Sequence, residues 1–181
     1  MKDKGDKVLG EERRDLLLQW LKQSESPLTG SYLAKQTNVS RQVIVQDISL
    51  LKARNEPIMA TSNGYLYFQP VSSKQKYKRI IACQHASDET MDELNTIVDY
   101  GVTVKDVTIE HPVYGDLTGV IMIQSRHDVE QFINKVRETN AAYLLELTDG
   151  VHLHTLEADS ENQLDQACRA LEEKGYLLPR S

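Results

Sequence analysis

Residues 40–55 read SRQVIVQDISLLKARN. Ile44, Ile48 and Leu51 recur at the spacing of one face of an α-helix, and Ser40 stands where an N-cap belongs. The other face carries Arg41, Gln42, Gln46, Ser49 and Lys52. A helix with an apolar stripe and a polar, partly basic face must bury that stripe against neighbours. What stands on either side therefore decides the fold.

Upstream, GEERRDLLLQWLKQ at 10–23 sets Leu16, Leu17, Trp20 and Leu21 at helical spacing among charges. SPLTGSYLAKQ at 26–36 starts a second, short helix with Leu33 and Ala34 turned inward, and TNVS at 37–40 is a tight turn. Helix, short helix, four-residue turn and longer helix is the helix-turn-helix order. Downstream, EPIMATSNGYLYFQ at 56–69 supplies a strand from Ile58, a turn at 62–64 and a return strand over 65–68, which together make a wing.

The exposed face of the third helix suits base edges. Arg41 can fork onto guanine, Gln42 or Gln46 can pair bidentately with adenine, and the helix N-terminus favours phosphate. Ser40 and Lys52 complete the expected contact set. The same helices fit either a small three-helix bundle for protein contact or a reader of double-stranded DNA.

Charge separates the two ends of the 181-residue chain. Residues 1–80 hold 14 Lys+Arg against 8 Asp+Glu, and residues 81–181 hold 7 against 19. Only the basic end is suited to a polyanion. Apolar residues make up 40%, enough for real cores, and no run approaches the roughly 18 needed to span a membrane. The start MKDKGDKVLGEERRD lacks the apolar core of a secretion signal, so a cytoplasmic location is expected. Cys83 and Cys168 have neither disulfide-framework nor thiolate-zinc spacing.

The expected fold class is α+β. A winged helix-turn-helix occupies 1–70 and a basic linker with Lys74, Lys76, Lys78 and Arg79 occupies 71–79. Those charges read either as solvated or as touching phosphates beside the wing. A mixed, sandwich-like regulatory domain of β-hairpins covered by helices fills 80–181. Its strands are expected in YKRIIACQH, VTVKDVTIEH and TGVIMIQ. A helix closes at Gly101, and capping signals at 125–128 and 160–163 open two more. AAYLLELTDGVHLHTLEA reads as a hairpin turning at Asp149-Gly150, so that strand, helix and hairpin would occur twice.

In DGVHLHTLEA, 149–158, His152 and His154 are two apart on a strand and share a face. Alone, such a pair reads either as strand packing or as two metal ligands. His85 at the end of the domain's first strand and Glu93 on the following helix would complete a set of three imidazoles and a carboxylate. That set serves zinc, nickel, iron and cobalt alike. Cys83 has the parity of His85 and reads either as core or as a neighbour of the site.

The stretch 28–55 resembles the helix-turn-helix of biotin-repressor-like and deoR-like regulators through VSRQVIVQDISLLKA, although Arg54 falls later than the usual basic residue. RIIACQHASDETMDELNTIVDYG, HPVYGDL and DGVHLHTLEA resemble the three-histidine (3H) domain. Together they cover nearly the whole chain and resemble the NiaR (YrxA-type) repressors of Gram-positive bacteria.

That resemblance implies a homodimeric repressor of NAD-biosynthesis and niacin-uptake genes, with nicotinic acid or a related pyridine carboxylate as co-repressor. It also implies a divalent transition metal, nickel or zinc before iron or cobalt, on His85, Glu93, His152 and His154. His111, before the turn-fixing Pro112, reads either as part of an effector pocket with Tyr114 and Asp116 or as bonded within its turn. Two rivals share the metal ligands: a regulator for which the metal itself is the signal, and a metal-dependent hydrolase of a pyridine carboxylate derivative. Against the hydrolase, the chain has no HExxH, Walker loop or GxGxxG, and Glu93 is taken as a ligand.

Overall fold

The computed structural model describes residues 9–68 and 76–179. The chain divides into two compact units, 1–71 and 72–181. In the first, α1 (Gly10–Gln23), α2 (Gly30–Gln36) and α3 (Arg41–Ala53) precede an antiparallel hairpin of β1 (Ile58–Thr61) and β2 (Gly64–Tyr67). The stripe of α3, Ile44, Ile48 and Leu51, closes a core with Leu17, Leu21 and Leu33.

The turn between α2 and α3 is built from local chemistry. The Thr37 hydroxyl donates to Leu33 O at 2.8 Å, and Asn38 takes the left-handed region at φ 51°, which asparagine tolerates. Ser40 then accepts from the Val43 N–H and caps α3. The wing is tied to the loop before α2 by backbone bonds of 2.9 and 2.8 Å between Leu28 and Tyr65. Gly64 permits this approach, since its φ is +132° and a Cβ there would overlap the Leu28 carbonyl.

The second unit runs β3 (Tyr77–Gln84), a 3₁₀ turn (Ser87–Glu89), α4 (Thr90–Val98), β4 (Thr103–His111), β5 (Gly115–Ile123) and α5 (Arg126–Thr139). A second 3₁₀ stretch (Leu144–Thr148), β6 (Val151–Ala158) and α6 (Glu161–Glu173) follow. The four strands form an antiparallel sheet in the order β3-β6-β4-β5. On β6 His152, His154, Leu156 and Ala158 are buried, while Val151 and Leu153 between them are exposed. Helices α4, α5 and α6 cover the buried face through Leu94, Ile97, Val129, Ile133, Leu164 and Leu171. No helix of the described residues is long and apolar enough to cross a membrane.

Two expectations are corrected. The stretch before Asp149 is 3₁₀ helix rather than the first arm of a hairpin, so strand, helix and hairpin do not recur. The reason is topological: β6 is central, with β3 on one edge and β4 on the other, so no edge is left for a preceding strand. The basic linker is also shorter than 71–79, because β3 begins at Tyr77. Its described charges face acids of the same unit: Lys76 lies 3.6 Å from Asp159, Lys78 3.8 Å from Glu157 and Arg79 2.8 Å from Asp165. Lys74 lies outside the described residues.

Candidate metal centre and nucleic-acid interface

His85 follows the last residue of β3, Glu93 projects from the first turn of α4, and His152 and His154 share the buried face of β6. The structure brings all four together. The Glu93 carboxylate receives His85 Nε2 at 2.8 Å, His152 Nε2 at 3.2 Å and His154 Nε2 at 3.4 Å. Glu93 is 0% exposed.

The other ring nitrogens decide what the cluster offers. His85 Nδ1 lies 2.8 Å from Ala86 O, His152 Nδ1 2.8 Å from Gly150 O, and His154 Nδ1 2.6 Å from Asp106 O. A carbonyl only accepts, so each Nδ1 carries the proton that it donates. In the neutral rings every Nε2 then presents a lone pair, toward a carboxylate that also only accepts. His85 Nε2 and Glu93 Oε2 are within charge-contact distance yet make no aligned hydrogen bond. Three such nitrogens converging on a carboxylate call for positive charge, either protons on the imidazoles or a metal ion. The Glu93 oxygens lie 2.8–3.4 Å from the three Nε2 atoms, and among the described residues the group whose ligand atoms all lie within 4.8 Å of one another is Cys83, Glu93 and His152. The residues present fit a divalent transition metal.

Two backbone devices hold these side chains in place. Gly150, at φ +87°, lets the turn into β6 press against His85, whose carbonyl a Cβ on residue 150 would overlap. On β4, Val104 pairs with Leu156 and Thr108 with Leu153, so β4 spends one residue more than β6. This bulge holds Asp106, whose carbonyl takes the His154 Nδ1 proton while its Oδ1 accepts from Thr155 N–H at 3.0 Å. Fixing the ring through its second nitrogen is how metal-binding histidines are usually oriented. Asp106 carried no recognisable signal in the sequence, because a bulge disturbs register without altering composition.

Electrostatics agrees with a site that demands positive charge. Burial opposes ionisation of Glu93, yet the His154 charge and the close approach of His152, His154 and His85 hold it well below the ordinary 4.5. Burial likewise opposes protonation of His85 and His154, but Glu93 overrides it and leaves both raised above 6.5. Cys83 is a core residue whose Sγ lies within 4.8 Å of ligand atoms of Glu93 and His152. Burial first, and the Glu93 charge second, push its thiol up, so it meets the carboxylate as a neutral S–H. Behind His85 stands the Tyr176 ring at 5.0 Å, its hydroxyl donating to Asp92 at 2.9 Å.

A cavity of about 260 Å³ opens over the cluster, with Glu93, His152 and His154 at its polar end. Its walls are apolar and aromatic, including Val107, Ile121, Phe132, Tyr143 and Leu144. His111, Tyr114 and Asp116 do not line it. They sit at the β4–β5 turn, where Tyr114 is 73% exposed and His111 Nδ1 accepts from Val113 N–H and Tyr114 N–H at 3.2 and 3.3 Å. Of the two readings of His111, this geometry matches the histidine bonded within its turn. His127 is exposed beside Gln131.

In the first unit, Ser40 is engaged as the N-cap of α3, and Arg41, Gln42, Gln46 and Lys52 are exposed on the side away from the core. Arg54 caps the far end of α3 and pairs with Glu11 at 2.9 Å. One structural residue escaped the sequence reading. Asp47, 2% exposed, takes Arg13 Nε at 2.6 Å and Arg14 Nη1 at 3.1 Å, locking α3 to α1. The apolar stripe around Asp47 hid it, since an acid beside core positions reads as solvent-facing until its partners are seen.

Residues 13–66 match the HTH domain and residues 78–180 the 3H domain. The fold and site thus define a DNA-binding regulator whose second domain is of the 3H type. The chain is 62% identical to the transcription repressor NadR of Bacillus subtilis (strain 168), over 95% of this chain and 96% of that protein. It is 38% identical to the probable transcription repressor NiaR of Thermotoga maritima, over 95% of this chain and 97% of that one. The chain belongs to this family of transcription repressors and is a regulator rather than an enzyme.

Proposed function

We propose that the chain is a metal-containing repressor of NAD-biosynthesis and niacin-uptake genes, with nicotinic acid as co-repressor. The observation that carries the metal is the convergence of three Nε2 atoms on Glu93 while every Nδ1 is committed to a carbonyl. His85, Glu93, His152 and His154 hold the ion. A bound divalent transition metal supplies a Lewis-acidic centre for the electron pair of a pyridine carboxylate. The remaining work belongs to the chain: the histidines and Glu93 fix the ion, and the apolar walls of the cavity exclude water.

On the DNA side, α3 enters the major groove. Arg41 and the two glutamines address base edges, while Ser40 and Lys52 reach phosphate or flanking bases. Two copies reading a pseudo-palindrome place their recognition helices roughly 34–36 Å apart. Nicotinic acid strengthens repression only by binding better to the DNA-competent state, and a coupling of about 1–3 kcal/mol changes operator affinity about 5–150-fold.

Metal content of purified wild-type protein and of His85→Ala, Glu93→Ala, His152→Ala and His154→Ala tests the centre. Wild type is expected to hold one ion per chain and each variant less. Equal content in all five sinks the ligand assignment. Gel-shift titration of Arg41→Ala on niacin-uptake promoter DNA tests the reading helix, and unchanged affinity removes Arg41 from it.

A further inference from the structure

The cavity over the cluster has a feature the metal does not explain. Thr90, the first residue of α4, lines it and is only 6% exposed, yet its hydroxyl finds no hydrogen-bond partner. A buried, unpartnered hydroxyl is costly unless something outside the chain completes it. The cavity is therefore amphipathic. One end gathers Thr90, Glu93, His152 and His154, and elsewhere it is lined by apolar and aromatic side chains, with Phe132 and Tyr143 set edge to face at 6.3 Å.

Size narrows the occupant. About 260 Å³ is below the roughly 300 Å³ where pockets for drug-sized ligands begin, so a dinucleotide does not fit. A single ring does. Gly119 marks one wall of the space: a Cβ there would stand 3.3 Å from Leu144 and 3.6 Å from Val107. Its φ is not positive, and the atoms a Cβ would meet are side-chain ends, so a larger residue here presses on the cavity wall and takes space from the cavity without straining the backbone.

We infer that this cavity is the effector site, that it takes one flat aromatic ring with a single carboxylate, and that Thr90 and Gly119 set its selectivity. The head group lies at the Thr90 and cluster end, where the hydroxyl donates to it, and the ring lies among the apolar walls. The inference rests on the co-repressor reading above but places the ligand on residues of α4, α5 and the 3₁₀ stretch, away from the β4–β5 turn.

The test is calorimetric titration of nicotinic acid, benzoic acid and NAD into full-length, metal-analysed wild type, Gly119→Val and Thr90→Val. Neither position supplies a metal ligand, so metal content is a control. Wild type is expected to bind nicotinic acid and not NAD. Gly119→Val, with metal and circular dichroism unchanged, is expected to lose binding, and Thr90→Val to weaken it about tenfold. Should Gly119→Val fail to fold, the isosteric Thr90→Val carries the test alone. If both folded variants bind nicotinic acid as wild type does, the cavity assignment is overturned while the co-repressor reading stands. If wild type binds benzoic but not nicotinic acid, and Gly119→Val abolishes that, the cavity stands and the co-repressor reading falls. Binding of NAD in the cavity, or of neither ring acid, overturns the inference.

Discussion

His85 Nε2 and Glu93 Oε2 stand 2.8 Å apart, both buried, with no hydrogen bond between them. Since His85 Nδ1 donates to Ala86 O, the contact needs a positive charge, either a proton on the imidazole or a metal ion. Removing metal shifts that demand onto protons. In metal-free protein the contribution of His85 and His154, raised above 6.5 by Glu93 against the opposing effect of burial, is full below 6.5 and lost as pH rises through their folded values. The Glu93 contribution runs the other way, present above 4.5 and lost as pH falls through its depressed value. With metal bound, protons compete with the ion, so binding strengthens as pH rises. Melting temperatures between about pH 5.5 and 8.5 are expected to fall with pH for chelator-treated protein and to rise for loaded protein. Parallel slopes count against a metal on these ligands.

Gly150→Ala is expected to damage the centre without touching a ligand. The added Cβ meets the His85 carbonyl, and φ +87° strains any L side chain. Strain of this kind costs about 1–3 kcal/mol. Urea unfolding and metal content should both fall, and a variant with wild-type values for both would show that the turn is not holding His85.

Asp106 is expected to act through His154. Asp106→Ala leaves the Thr155 N–H without its acceptor, about 1–3 kcal/mol, and loosens the bulge that aims the carbonyl at His154. Loss of such a supporting group weakens metal binding by about 10–100-fold. Asp106→Asn keeps an acceptor oxygen and should restore most of it. If Ala and Asn variants bind metal alike, the bulge is only structural.

The helix-turn-helix was legible because each signal was local: Ser40 as cap, Ile44, Ile48 and Leu51 as stripe, the turn at Ser62-Asn63-Gly64 as wing. His152 and His154 were likewise readable from strand parity, and the structure sets both against Glu93. What escaped depends on pairing between distant segments. Nothing around residues 144–148 announces that β3 and β4 occupy both edges of β6. The cavity is equally non-local, since Thr90, Gly119, Phe132 and Tyr143 come from four separate segments. The polar residues of HPVYGDL drew attention to a turn because they are conspicuous, whereas the cavity is lined mainly by residues that read as core.

In the DNA-binding unit, Asp47→Ala removes the carboxylate that Arg13 and Arg14 share in a buried ion pair. Breaking such a pair costs about 3–5 kcal/mol. Arg54→Ala, which opens the exposed pair with Glu11, should cost less than about 1 kcal/mol. Thermal unfolding of the two variants side by side checks the contrast, and equal small effects would mean that α1 and α3 are held by their apolar contacts alone.

The most direct measurement is titration of nicotinic acid into metal-analysed protein on promoter DNA from a niacin-uptake gene, with a His152→Ala/His154→Ala variant alongside. The account predicts that nicotinic acid tightens operator binding by wild type, and that the variant loses both metal and response. If DNA binding is indifferent to nicotinic acid while added metal alone shifts it, the protein senses the metal itself and the co-repressor reading is contradicted.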